Sequence, residues 1–382
     1  MRIGIDASRA LRARRTGTER YSLELIKALL ALETEHEFIL YAPMRVPDRD
    51  FRTPNARVVV IPSRVPGGRL WTHTALGPYT WRHRPDVLFV PSHVLPLIGP
   101  RPSVVTVHDL GYEHFPETHP PRERWYLRWS TRRHVRVATR LIADSQATKN
   151  DLVQLYDADP ERIHVVYPAL DPDFRPEFDR TRQLTVRRSY GLPDQAEYIL
   201  HVGTLHPRKN LARLIEAFAL VRREWPERQL FLVLAGSPGY QSSLLYEKTR
   251  QLDLDKVVRF PGFVRVHDLP ALYAAAACYA FPSLYEGFGF PVLEAQASAV
   301  PLVCARASSL PEVAGEGALY FDPLSVEDMA AALMRVLSDA ELRAQLVAAG
   351  QANLARFSWP QTARATLAVL EEAALGVGTR AC

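Results

Sequence analysis

Two glutamates and two cations in the C-terminal half of the sequence have the types and spacing needed to hold a polyhydroxylated anion. The run Phe281-Pro282-Ser283-Leu284-Tyr285-Glu286-Gly287-Phe288-Gly289-Phe290-Pro291-Val292-Leu293-Glu294-Ala295 follows a short apolar stretch and leads into helical spacing. Gly287 and Gly289 allow a tight, closely approachable backbone, and Pro291 suits the first turn of a helix beginning there. Glu286 precedes that helix and Glu294 lies about one turn inside it, so both carboxylates can face one pocket with a sugar diphosphate between them. An arbitrary pair of glutamates is more often solvated charge. Here Glu294 lies amid Val292, Ala295 and Ala297, where a carboxylate needs a partner, and that favours a site.

A second loop has complementary chemistry. In His201-Val202-Gly203-Thr204-Leu205-His206-Pro207-Arg208-Lys209-Asn210-Leu211, Gly203 allows close approach, and Arg208 and Lys209 place two cations where a diphosphate would sit. Taken alone, the loop reads equally well as a solvated basic turn.

Both loops require strands ahead of them and helices behind them, because open parallel sheets bind ligands beyond the carboxyl ends of their strands. Short Val/Ile/Leu/Phe-rich runs do alternate with amphipathic segments along most of the 382 residues. In the first half the predicted strands are Arg2–Ala7, Glu37–Ala42, Arg57–Ile61, Asp86–Val90, Val104–Val107, Leu141–Ala143 and His164–Val166. In the second half they are Tyr198–Val202, Leu230–Ala235, Val257–Phe260, Cys278–Phe281, Leu302–Cys304 and Ala318–Phe321. The expected class is α/β, with two doubly wound, Rossmann-like parallel-sheet domains facing a deep cleft.

The proline-rich run Tyr167–Pro176 can continue neither a helix nor a central strand, so the junction falls there. The expected division is a first Rossmann-like domain over 1–170, a linker over 171–190, a second Rossmann-like domain over 191–358, and a final helix over 359–382 that could return to the first domain. A hydrophobic content of 47% with 23% charged residues is that of a globular chain. A net charge of +5 is too modest to imply nucleic-acid binding, and none is expected. No stretch approaches the roughly 18 to 20 apolar residues of a membrane span. Met1–Asp6 reads as a strand rather than a secretion signal, which predicts a cytoplasmic protein. Cys278, Cys304 and Cys382 lack metal-ligand spacing and read as two core thiols and one tail thiol.

Glu286, Gly287-Phe288-Gly289 and Glu294, with the upstream Gly203/Arg208/Lys209 loop, resemble the donor site of glycosyltransferase family 4, whose members are retaining enzymes of the GT-B fold. The resemblance spans nearly the whole chain and implies that the domain over 1–170 binds the acceptor and the domain over 191–358 the nucleotide-sugar donor. Gly4-Ile5-Asp6-Ala7 and Thr16-Gly17-Thr18-Glu19-Arg20-Tyr21 resemble the family's first strand and phosphate-approaching glycine loop, Val107-His108-Asp109-Leu110 its sugar-contacting histidine, and Ile142–Thr148 the segment that follows. The resemblance implies that Glu294 binds the nucleotide ribose, Glu286 the transferred sugar, and Arg208 and Lys209 the diphosphate. It likewise implies that His108 touches the sugar from the opposite domain, that Phe288 and Gly289 offer backbone contacts, and that Val264 flanks the base. Gly17 would approach the phosphates. Many members carry arginine directly after the phosphate-loop glycine; this chain has Thr204 there, leaving Arg208 to supply the cation.

No metal or cofactor is implied, only a nucleotide diphosphate sugar as donor, with GDP-mannose the favoured one and a glycan or lipid-linked acceptor in surface polysaccharide synthesis. The Asp-x-Asp pattern of metal-dependent enzymes occurs at Asp48/Asp50, Asp171/Asp173 and Asp253/Asp255, but none follows a clear core strand. A nicotinamide dehydrogenase would need a Gly-x-Gly-x-x-Gly fingerprint, which is missing. A GT-B epimerase or phosphorylase, or a sugar-nucleotide binding protein without turnover, are the remaining alternatives. His108, alone at a strand end, is more often structural, and only the resemblance raises it. Arg122–Arg140 reads as a basic helix bearing Trp125 and Trp129; packing of its aromatic side on the sheet is the preferred reading, and peripheral contact with an anionic membrane the other.

Overall fold

Continuous apolar runs such as Val87–Val90 and Cys278–Phe281 are buried on both faces, as strands in the middle of a parallel sheet must be. A computed structural model of the chain describes residues 1–12, 17–44, 51, 53–63, 70–92, 94–172 and 174–378. The strands are β1 (Arg2–Asp6), β2 (Glu37–Ala42), β3 (Ala56–Val60), β4 (Val87–Val90), β5 (Ser103–Val107), β6 (Arg140–Ala143), β7 (Ile163–Val165), β8 (Glu197–Val202), β9 (Leu230–Ala235), β10 (Val258–Gly262), β11 (Cys278–Phe281), β12 (Leu302–Ala305) and β13 (Leu319–Phe321). Each predicted strand is present, with ends shifted by a residue or two.

The chain forms two compact units, Met1–Asp171 with Phe357–Cys382, and Pro172–Arg356. In the first, a seven-stranded sheet has the order β3-β2-β1-β4-β5-β6-β7, and every pairing is parallel. The edge strand β3 leaves Val58 and Val60 exposed. The second unit is a six-stranded parallel sheet ordered β10-β9-β8-β11-β12-β13. Strand order reverses between β1 and β4 and again between β8 and β11. At such a switch point the connections leave to opposite sides and open a crevice at the strand ends.

The final helix, Trp359–Gly378, belongs to the first unit. Trp359 Nε1 donates to the Leu170 carbonyl at 2.8 Å, Thr362 Oγ1 donates to the Tyr167 carbonyl at 2.7 Å, and Arg140 pairs with Glu372 at 2.9 Å. Ala363, Leu370 and Ala373 are fully buried on its inner side.

The helix Pro121–Val137 corrects the preferred expectation for its aromatics. Its inner side is Ser130, Thr131, His134 and Val135, whereas Trp125 is 66% and Trp129 37% exposed, their rings stacked at 6.3 Å. The helical repeat explains this: Trp125 and Trp129 fall on the arc shared with Arg122, Arg132 and Arg136, opposite the buried residues. Cys278 and Cys304 are buried free thiols on β11 and β12, and Cys382 lies outside the described residues.

Leu370→Ala leaves a cavity where the last helix packs on its unit and should cost about 2–5 kcal/mol of that unit's stability, read by denaturant unfolding. A loss below about 1 kcal/mol would contradict the packing described.

Candidate functional site

The loops leaving β8 and β11 are neighbours because these strands flank the switch point of the second sheet. His201 on β8 ties the strands together, its Nδ1–H donating to the Ala280 carbonyl of β11 at 3.0 Å. Burial, reinforced by the nearby Lys209 ammonium, lowers its pKa to about 4, so the ring stays neutral and keeps that tautomer. Beyond the strands, Leu284 N donates to the Arg208 carbonyl at 2.8 Å, and Arg208 Nη1 donates to the Tyr285 carbonyl at 2.9 Å. The two sequence segments are therefore one piece of structure.

At its centre lies the buried carboxylate of Glu286. Arg208 Nη1 reaches Oε2 at 2.8 Å, and Lys209 Nζ donates to Oε1. Burial alone would raise the Glu286 pKa, but the Arg208 and Lys209 charges outweigh it and hold the carboxyl at about 2. The Lys209 ammonium also lies 5.1 Å from the Phe281 ring centroid. Two cations around one carboxylate leave one net positive charge, and two helix N-termini, those of Leu211–Glu224 and Phe290–Ala297, begin at the same strand ends.

A third strand end braces the Glu286 loop. Glu286 N donates to Ser308 Oγ at 2.9 Å, while Ser309 Oγ lies 2.9 Å from the carbonyls of Glu286 and Phe288. Both serines lie between β12 and the helix Leu310–Ala314. Gly289 caps the Phe290–Ala297 helix at φ 101°, and a Cβ there would fall 2.9 Å from Leu310. Glu294, inside that helix, accepts from the Tyr273 hydroxyl at 2.9 Å, so the partner its apolar surroundings demanded is a tyrosine. Gly203 lies against Gly236 at the end of β9, where a Cβ would stand 1.8 Å from the Gly203 oxygen. Thr204 is exposed, and Val264 is buried just past β10.

His108 stands in the first unit, at the end of β5. Its Nδ1 is 2.6 Å from Asp144 Oδ2 at the end of β6, and its Nε2 is 3.0 Å from the Pro91 carbonyl at the end of β4. A carbonyl can only accept, so Nε2 carries a proton and one further proton lies between Nδ1 and Oδ2. Burial opposes charge on the imidazole, but the Asp144 carboxylate outweighs it and raises the His108 pKa above its ordinary value; burial raises Asp144 as well. Tyr21 meets the ring edge-on at 4.8 Å between centroids. Gly17 is the first residue of the helix Gly17–Leu30 that carries Tyr21, and Thr16 lies outside the described residues.

Sequence reasoning missed Tyr273, Ser308, Ser309, Gly236 and the His108–Asp144 pair. Ser308-Ser309 has a signal, a strand end followed by a helix start, and Asp144 lies within Ile142–Thr148, a segment whose resemblance to the family assigns it no role. Asp253 and Asp255 lie exposed in the turn entering β10, at the sheet edge opposite the loops above. Asp171 pairs with Arg20 at 2.7 Å, while Asp48, Asp50 and Asp173 lie outside the described residues.

Comparison with known proteins bears on this arrangement. Residues 183–353 match the family model for glycosyl transferases group 1, and residues 15–174 the model for glycosyltransferase family 4. The chain is 32% identical over 366 residues to the O-antigen chain mannosyltransferase B of Escherichia coli, covering 92% of this chain and 95% of that protein. It is also 36% identical over 255 residues to the D-inositol 3-phosphate glycosyltransferase of Salinispora arenicola, a match spanning about half (56%) of that relative's length. The fold matches HepE from Anabaena, solved with UDP and glucose, at a TM-score of 0.74 and 20% identity over 97% of this chain and 100% of that one. It matches WaaG, a glycosyltransferase involved in lipopolysaccharide biosynthesis, at 0.70 and 17% over 97% and 99%.

Two measurements check these electrostatics. Asp144→Asn removes the charge that raises His108, so the imidazole should titrate at lower pH in NMR than in the wild type; an unchanged midpoint would contradict the pairing. Because the Glu286 pKa is depressed from 4.5 to about 2, its contribution to stability is present above about pH 4.5 and lost as pH falls through about 2. The stability gap between wild type and Glu286→Gln in urea should therefore narrow over that window.

Proposed function

Because the chain belongs to the group 1, family 4 glycosyltransferases of the GT-B fold, and so moves a sugar from a nucleotide-sugar donor, we propose that it is a retaining, metal-independent mannosyltransferase using GDP-mannose. Its proposed acceptor is a glycan or lipid-linked glycan in cell-surface polysaccharide synthesis, and its proposed site of action is the cytoplasm. The likeness to an O-antigen chain mannosyltransferase over 95% of that protein's length supports the sugar and the acceptor class. The single structural observation that carries the donor assignment is the buried Glu286 carboxylate held between Arg208 and Lys209.

In this reading Arg208, Lys209 and the two helix N-termini receive the diphosphate, and their charge stabilises it as the bond from the anomeric carbon to the phosphate oxygen breaks. Gly203, Thr204 and Gly17 let backbone approach the phosphates. Glu286 accepts a hydroxyl of the transferred sugar and, being ionised at neutral pH, keeps both cations aimed at the leaving group. Backbone at Gly287, Phe288 and Gly289 adds sugar contacts, Glu294 holds the ribose through the geometry Tyr273 sets, and Val264 flanks the base. His108 is assigned to the transferred sugar. The acceptor hydroxyl attacks the face the diphosphate leaves, so the anomeric configuration is kept.

Incubation with GDP-mannose and with UDP-glucose, each with and without a lipid-linked glycan, tests the assignment: acceptor-dependent release of GDP and an α-linked mannosyl product by NMR are expected. A β-linked product, or a requirement for added divalent metal, would overturn the corresponding part. Glu286→Gln should lower kcat about 10²–10³-fold while changing donor Kd far less. Equal losses in both would instead point to a binding role.

A further inference from the structure

His201 uses only one of its two ring nitrogens. The residue is completely buried on β8, its ring parallel to that of Tyr279 at 6.2 Å between centroids and 6.0 Å from the Phe281 ring. Its Nδ1–H is engaged by the Ala280 carbonyl, which leaves Nε2 as a lone pair, and among the described residues Nε2 has no hydrogen-bond partner. A buried acceptor left unmatched carries a desolvation cost that an apolar ring filling the same slot would not.

The orphaned atom lies beneath the Gly203 loop. The point where a Cβ on Gly203 would stand is 3.4 Å from His201 Nε2, 3.6 Å from Lys209 Cε and 3.9 Å from Lys209 Nζ. The lone pair and the ammonium therefore border one small space, which a side chain at position 203 would fill. Burial and the Lys209 charge both disfavour the imidazolium, so the lone pair persists at neutral pH and can accept from an ammonium rather than repel it.

We propose that His201 is a positioning residue for the donor's diphosphate: its Nε2 accepts from the Lys209 ammonium when a diphosphate is bound and so aims that ammonium at the distal phosphate. An ammonium has three N–H groups and no acceptor. Glu286, which already takes one of them, a phosphate oxygen and Nε2 can each hold one, and three acceptors fix a direction that two leave free to rotate. Pre-set charge of this kind acts on the leaving group without reorganising as the bond breaks. The inference rests on the reading of Arg208 and Lys209 as the diphosphate's cations, and it is independent of which sugar is transferred.

Calorimetric binding of GDP, UDP and the matching monophosphates to the full chain tests it. His201→Asn keeps a donor near the Nδ1 position for Ala280 and has nothing at Nε2, whereas His201→Gln can return an amide oxygen to that place. His201→Asn should weaken the diphosphate about tenfold and the monophosphate less than about twofold, and His201→Gln should recover most of the loss. A purely structural role would weaken both nucleotides alike. In a Lys209→Met background His201→Asn should add no further loss, because the two changes remove one interaction. In the wild type, 15N NMR should show the Nε2 resonance moving upfield when diphosphate is added, a measurement that stands even if His201→Asn does not fold. Equal losses for the two nucleotides, additive losses in the double variant, or an Nε2 resonance that stays at its lone-pair position would each overturn the proposal and leave the donor site standing. A wild type that binds neither GDP nor UDP would overturn the donor reading itself, and this inference with it.

Discussion

The carboxylate of Glu286 held by Arg208 and Lys209 organises the second unit's ligand-facing edge. A buried ionised carboxylate is tolerated only when opposite charge and hydrogen bonds repay its lost hydration. Here the repayment comes from a neighbouring strand end: the cations follow β8, the carboxylate follows β11, and Ser308 and Ser309 follow β12. Removing any one leaves a buried charge or a slack loop, so three loops distant in sequence act as a unit.

That unit exists because of strand order. Had β11 been laid beside β10, Arg208 and Glu286 would stand strands apart, with the same residues in the same local conformations. The reversal between β8 and β11 makes their loops adjacent and brings two helix N-termini to one edge. The neutral His201, bonded from β8 to Ala280 of β11, pins that junction from inside the sheet. The first unit repeats the device differently: one imidazole joins the ends of β4, β5 and β6 through Pro91, His108 and Asp144.

Local rules served best where one element answered to one pattern. Runs such as Leu230–Ala235 form strands at their expected bounds, because a six-residue apolar run is too short for a typical helix and is buried on both faces in the middle of a parallel sheet. The rules served less well where a choice of face was involved. The tryptophans at 125 and 129 were expected against the sheet because aromatics are usually buried, yet the same helical repeat offers Ser130, Thr131, His134 and Val135 a second inward face, and that face won. Periodicity defines two sides of a helix, and packing chooses between them.

The sequence by itself determined the α/β class, the strands, the two loops and, through resemblance, the donor chemistry, because each depends on residue types within a few positions of one another. Only the tertiary structure decided that Tyr273 meets Glu294, that Asp144 meets His108, that Ser308 and Ser309 brace the Glu286 loop, and that both cations converge on one carboxylate. These partners are separated by tens of residues or lie on different strands. A hydrogen bond depends on distance in space, and that distance is set by the order in which the strands are laid side by side.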